Sequence, residues 1–99
     1  MNRVAFENYL CDYLRPNGMH LTAKAIATRL RKAEEAEAVL GHSLGLSVST
    51  DSQMRTDLVM LRTTNEQELR YGQMQNVLRK YYHMVHGRLF PRLMEVQGV

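Results

Sequence analysis

Apolar residues recur every three or four positions along four stretches of the chain, the spacing of one buried helix face. In the first stretch Phe6, Tyr9, Leu10, Tyr13 and Leu14 share a face, predicting a helix from about Arg3 to Leu14. Pro16 and Gly18 end it, since proline cannot continue the hydrogen-bond ladder and glycine accepts left-handed geometry. The second helix is expected over about Ala23–Leu40, with Thr22 as N-cap and Leu21 and Ile26 placed for a hydrophobic staple. Ile26, Leu30, Ala33, Ala36 and Leu40 trace its inward stripe; Glu37 is the polar exception on that stripe, and Gly41 is the stop. Leu44, Leu46 and Val48 alternate within His42–Thr50. A single strand would lack a partner, so this segment reads as a loop packed over the core.

The third helix is expected over about Ser52–Arg62, with Thr50 or Asp51 near its cap and Met54, Leu58 and Leu61 buried. Thr63, Thr64 and Asn65 interrupt the pattern, and Asn65 followed by Glu68 has capping-box spacing, with Thr64 and Gln67 a second register. The fourth helix is expected over about Glu66–His86, burying Met74, Val77, Leu78, Tyr81 and Val85, with Gly87 as its C-cap. Beyond it, segment 88–94 carries Leu89, Phe90, Pro91 and Leu93 and reads as an apolar tail docked on the bundle. The expected fold is therefore all-α, a compact four-helix bundle forming one domain over residues 1–99.

Composition narrows this little. With no Trp and two Phe, the core falls to Leu, Met, Val, Ile, Ala and Tyr; the seven Met suit a core or an adaptable binding surface. Cys11 is the single cysteine, so no internal disulfide forms, which fits a reducing cytoplasm; it reads as a buried or half-buried structural thiol. Residues 1–4 lack the apolar run of a signal peptide. No stretch approaches the ~20 apolar residues of a membrane span, so a soluble, cytoplasmic protein without a membrane partner is expected.

Charge changes the picture more. The net charge is +3, and ten of the thirteen Lys and Arg residues fall into two acid-free blocks. One holds Arg15, Lys24, Arg29, Arg31 and Lys32; the other holds Arg70, Arg79, Lys80, Arg88 and Arg92. Should helices two and four be neighbours, the blocks would form one positive surface. At about 100° per residue, placing Tyr81 inward turns Gly72, Gln75, Asn76, Arg79, His83 and His86 outward. Arg can read guanine and Asn or Gln adenine in the major groove, while Lys80 and Tyr82 flank that face within reach of phosphates. Gly72 would allow a close backbone approach. The plainer reading is that any exposed helix face is polar, and that Arg31 and Lys32 pair with Glu34 and Glu35 on the surface.

No constellation for catalysis stands out. His83 and His86 have metal-ligand spacing but no local Cys, Asp or Glu to complete a site, and His20 and His42 fall in loops. Cys11 lacks a supporting base in its neighbourhood, and the glycines mark helix ends instead of forming a phosphate-binding loop. No enzyme activity, metal or cofactor is expected.

Phe6-x-x-Tyr9-Leu10, then Leu21-Thr22 followed by Thr28-Arg29-Leu30-Arg31, then Asn76-Val77-Leu78-Arg79-Lys80-Tyr81-Tyr82, carry a resemblance. From roughly Ala5 to Phe90 the pattern resembles the SAM-like N-terminal core-binding domain of tyrosine recombinases and phage integrases, mostly through helix spacing and apolar positions. The resemblance implies a four-helix domain that clamps duplex DNA through basic helix faces, with Lys24, Arg31, Arg79, Lys80 and His83 as contacts. That family's catalytic domain, with its Arg, His and Tyr site, has no counterpart in these 99 residues, and neither Tyr81 nor Tyr82 has the setting of its nucleophile. The expectation is a non-catalytic DNA-binding module, an accessory protein of a phage or other mobile element, with Lys24, Arg31, Gln75, Asn76, Arg79, Lys80 and His83 as its nucleic-acid-binding residues.

Two other readings stay open. A small protein–protein adaptor or inhibitor would use Met19, Met54, Met60, Met84 and Met94 with Tyr71 and Tyr82 as its contact surface. A homodimer would pack Tyr82, Met84 and Leu89–Leu93 across an interface, and would also double the basic surface.

Overall fold

Asn2, Thr22, Ser43, Thr50 and Asn65 each accept, through the side chain, a hydrogen bond from the backbone N–H three residues on, and each opens a helix. The computed structural model describes residues 1–91. It contains α1 (Arg3–Asp12), α2 (Ala23–Leu40), α3 (Leu44–Ser47), α4 (Asp51–Arg62), α5 (Glu66–Tyr71) and α6 (Gln73–His86). The described residues hold no strand, only an isolated bridge between Leu14 and His20. Arg92, Leu93 and Met94, part of the expected tail, lie outside the described residues.

The second helix has the expected bounds, with Thr22 at its start and Gly41 in left-handed geometry at its end. The first ends two residues early, at Asp12, because Tyr13 is already extended. Two expectations are corrected. The segment His42–Thr50 is not all loop: Ser43 caps the one-turn α3, which buries Leu44 and Ser47 and leaves Leu46 exposed. The fourth helix is not continuous: Gly72 stands at φ +62°, a left-handed conformation that breaks the ladder and separates α5 from α6.

Glu68 makes this break tolerable. Half of the expected capping box forms, with Glu68 N–H donating to Asn65 Oδ1 at 2.7 Å. The carboxylate, however, reaches forward. Its Oε1 accepts from Met74 N–H at 2.9 Å, and its Oε2 accepts from Gln75 N–H at 3.0 Å and Gln75 Nε2 at 3.1 Å. These are donors that the start of a helix leaves without partners, and a buried carboxylate there also complements the helix dipole.

α2 and α6 form the central pair, with α1 and α4 packed against both and α3 wedged among α2, α4 and α6. Phe6, Leu10, Leu30, Leu40, Leu44, Met54, Leu58, Leu61, Val77 and Leu78 fill the space between them. Ala33 and Ala36 are fully buried on α2, where a larger side chain would force the helices apart. The radius of gyration, 13.0 Å, is that of a compact chain of this length. Glu37, the polar residue on α2's inward stripe, is a tie: its Oε2 accepts from the Met1 ammonium at 2.8 Å and from Leu44 N–H at 2.9 Å.

Five side chains depart from their expected positions, among them Leu14, expected on the inward face of the first helix but exposed beyond its end, and Leu89, expected in the docked tail but exposed. Tyr82, placed at the flank of an outward face, is fully buried, while Val85, placed inward, is 50% exposed. The reason is the returning chain: Phe90 packs edge-on against Tyr82 at 5.1 Å, and His86 lies 4.4 Å from the Tyr82 ring, so the buried face of α6 turns toward residue 82. Cys11 is exposed, being one residue past the buried Leu10 and so off the inward face of α1.

The tail is held by charge as well as by Phe90. Tyr82 donates its hydroxyl hydrogen to Asp51 Oδ1 at 2.8 Å, and Arg88 Nη2 lies 3.6 Å from the same oxygen. The Tyr82 hydrogen bond foremost holds the Asp51 carboxyl below the usual carboxylate range; desolvation opposes it, and the nearby Arg88 adds to the lowering. A carboxyl whose pKa is lower folded than unfolded stabilises the fold above its unfolded pKa, and this contribution fades as pH falls through the folded one. The difference in urea midpoint between wild type and Asp51→Asn should therefore be constant near neutrality and shrink below about pH 4. A constant difference down to about pH 2 would show that Asp51 does not contribute in this way.

Candidate nucleic-acid interface

Packing α2 beside α6 brings the two basic blocks together. Thr28, Arg29 and Lys32 on α2 face Gln73, Asn76, Val77 and Lys80 on α6 across a cleft of about 130 Å³. The spacing is helical on both walls, so each set falls on one side of its helix. Three of the seven lining residues are cations and none is an acid. The volume is well below the ~300 Å³ at which small-molecule pockets begin, so the cleft suits part of a larger ligand or a small ion.

The cations differ in how they are held. Lys32 Nζ pairs with Glu35 Oε2 at 2.9 Å. Arg29 Nη1 donates to the Ala25 carbonyl at 3.3 Å, and Lys80 Nζ stands 4.8 Å from the centre of the Tyr13 ring. Burial first, and the neighbouring Arg29 second, lower the pKa of Lys80 from its ordinary value. Among the described residues neither Arg29 nor Lys80 has a carboxylate partner.

The residues singled out from the sequence do not all meet. Asn76 and Lys80 lie in the cleft. Lys24 is exposed one turn before Thr28, and Arg31 is exposed with its Nε 3.9 Å from Glu35. Gln75 is occupied by Glu68. Arg79 Nη1 donates to the carbonyls of Phe90 at 2.9 Å and Pro91 at 3.2 Å, fastening the returning chain. His83 Nδ1 lies 2.7 Å from the Tyr9 hydroxyl, whose pKa burial foremost, then Tyr13, pushes up to about 12. His86 Nε2 donates to the Val48 carbonyl at 2.7 Å. The face expected to read bases is thus largely engaged within the chain. Arg29 and Lys32, present in the first basic block, become site residues only because α6 lies against them; Thr28 and Gln73 had no distinguishing signal at all.

A second cluster lies just beyond the C-terminal end of α2. His42 Nε2 donates to Asp57 Oδ2 at 2.7 Å and lies 3.2 Å from Ser47 Oγ. The residue types are those of a hydrolytic triad, but the geometry is not. A triad histidine uses one ring nitrogen for each partner, whereas here both contacts fall on Nε2, and Ser47 is fully buried. The cluster joins α3 to α4. The described residues contain no group of three or more His, Cys, Asp or Glu placed to hold a metal, and no helix long and apolar enough to cross a membrane.

The alternative contact surface also changes. Met54 and Tyr82 are buried in the core and Met84 is partly buried, whereas Met19, Met60 and Tyr71 remain exposed. Comparison with family models, curated proteins and solved structures found no match for this chain, so the reading of the α2–α6 cleft rests on its own chemistry.

Proposed function

We propose that the chain is a non-catalytic DNA-binding module that places the phosphate backbone of a duplex against the α2–α6 cleft. The observation that carries this reading is the meeting of Arg29, Lys32 and Lys80, from two blocks far apart in sequence, in a cleft whose lining includes no acid. Positive charge gathered from separate elements onto one face is the electrostatic footprint of a nucleic-acid binder. Lys24, one turn from the cleft, extends the surface along α2. The core-binding-like arrangement, and an accessory role for a mobile element, belong to the same proposal.

The test is a fluorescence-anisotropy titration with a short duplex of random sequence at two salt concentrations. Micromolar affinity at low salt is expected. With three phosphate contacts the log–log salt slope should be about −2.7, a loss of roughly 40-fold between about 50 and 200 mM salt. Charge reversal of Lys32 and Lys80 together should remove binding. No binding at the lower salt overturns the proposal and turns attention to a protein partner, or to a second copy of this chain, through the exposed Met19, Met60 and Tyr71.

A further inference from the structure

The cleft contains a more specific arrangement than a basic surface. Arg3, Arg31, Lys32, Arg70 and Arg88 each lie against a carboxylate oxygen. Arg29 and Lys80 have no such ion pair among the described residues, as Arg15, Lys24, Arg55 and Arg62 have none, but these two face each other in the cleft, where Lys80 is half-buried and Arg29 stands close enough to disfavour its charge. Two like charges converging without an acid destabilise a fold. Cations that cost stability and are held only by weak local contacts, Arg29 to the Ala25 carbonyl and Lys80 over the Tyr13 ring, are characteristic of binding sites.

We infer that Arg29 and Lys80 form a seat for a single phosphate group, and that the duplex is therefore held by its backbone with little discrimination among base sequences; the source of that phosphate rests on the DNA reading above. The chemistry fits a tetrahedral oxyanion. Arg29 presents a planar fork of N–H donors from one wall, and Lys80 a compact ammonium from the other. Asn76 and Gln73 line the same cleft and supply neutral amide donors for the remaining oxygens. The volume of about 130 Å³ is small beside an ordinary small-molecule pocket and suits a single phosphate group better than a whole nucleotide. Gln75, Arg79, His83 and His86, the side chains otherwise suited to reading base edges, are engaged within the chain.

Three measurements on the full chain test the seat. In the first, inorganic phosphate is titrated into isotope-labelled protein with sodium chloride at matched ionic strength as control. The Arg29 side-chain N–H and Lys80 side-chain methylene resonances should shift with phosphate and not with chloride. In the second, Lys80→Met and Arg29→Met should each melt at or above the wild-type temperature, yet bind duplex DNA about tenfold or more weakly, the loss of one phosphate contact. A purely structural role would instead lower the melting temperature and leave the affinity of the folded fraction unchanged. In the third, two duplexes of unrelated sequence should bind within a few-fold of each other.

DNA binding that survives both substitutions, with no phosphate-specific shift, overturns the seat and leaves the DNA reading standing. A phosphate-specific shift without DNA binding overturns the DNA reading and assigns the seat to a small phosphorylated molecule. A hundredfold preference between duplexes overturns backbone-only recognition. The phosphate titration on wild-type protein keeps the seat falsifiable even if a variant fails to fold.

Discussion

Replacing Asp57 with alanine should destabilise the fold by about 2–4 kcal/mol, lowering the melting temperature by roughly 10–25 °C for a chain of this size. Asp57 is 1% exposed on α4, and both its oxygens are used: Oδ2 accepts from His42 Nε2 at 2.7 Å, and Oδ1 from Gln53 Nε2 at 3.0 Å. Alanine would leave a void and strand His42 and Gln53 directly, and Ser47 through the loss of a fixed His42. His42 and Gln53 can turn toward water, but Ser47 is fully buried and cannot. Because α3 is a single turn, it has little stability of its own and depends on this bridge to α4, on Glu37 at its start and on Leu44 beneath it. Asp57→Asn keeps the volume and one acceptor oxygen, so it should cost less than half as much. Urea denaturation followed by circular dichroism measures both; a loss below about 1 kcal/mol for alanine would show that the network does not tie α3 to α4.

Glu68→Ala is expected to cost about 2–3 kcal/mol, by leaving the first N–H groups of α6 without acceptors. Ordinary N-cap substitutions are smaller in effect, typically about 1 kcal/mol, because water replaces the lost oxygen. Here Met74 is 5% exposed and Glu68 itself 4%, so water does not reach the vacated position easily. Gly72, immediately before α6, has no side chain with which to cap. Hydrogen exchange at the Met74 and Gln75 amides distinguishes this cause from a general loss of packing. Those two should lose protection well beyond the change in global stability, and Glu68→Gln, which keeps one acceptor, should fall between. Unaltered exchange there would mean that Glu68 stabilises by some route other than capping. The prediction bears on function, because Gln73, Asn76 and Lys80 enter the α2–α6 cleft from the start of the helix that Glu68 secures.

The α2–α6 cleft sits in a different energetic position. Its cations make only weak local contacts of their own, and replacing Arg29 or Lys80 by methionine, which keeps the apolar stem and removes the desolvated charge, is expected to leave the fold as stable or more so. Stability and binding should thus separate cleanly: substitutions at Asp57 and Glu68 should move the first, and substitutions at Arg29 and Lys80 the second.

Sequence alone was sufficient wherever structure is decided locally. The all-helical class, the bounds of α2, the caps at Thr22 and Asn65, the stops at Gly41 and Gly87 and most of the core follow from a 3–4 residue apolar period and from side chains that bond their own backbone. Two basic blocks were also visible, because charge is a property of composition. What remained hidden was decided by contacts between elements. Gly72 could be a glycine within a helix or a break between two, and only the forward reach of Glu68 resolves it. Tyr82 and Val85 exchange places because Phe90 returns over one side of α6, an event no period encodes. Asp57 and Glu68 carry the polar signature of exposed residues, yet tertiary partners make them among the most buried. The cleft itself depends on α2 and α6 being neighbours: Arg29 and Lys80 stand 51 positions apart in the chain, and helix packing order is set by the fit of whole faces, which a linear pattern does not express.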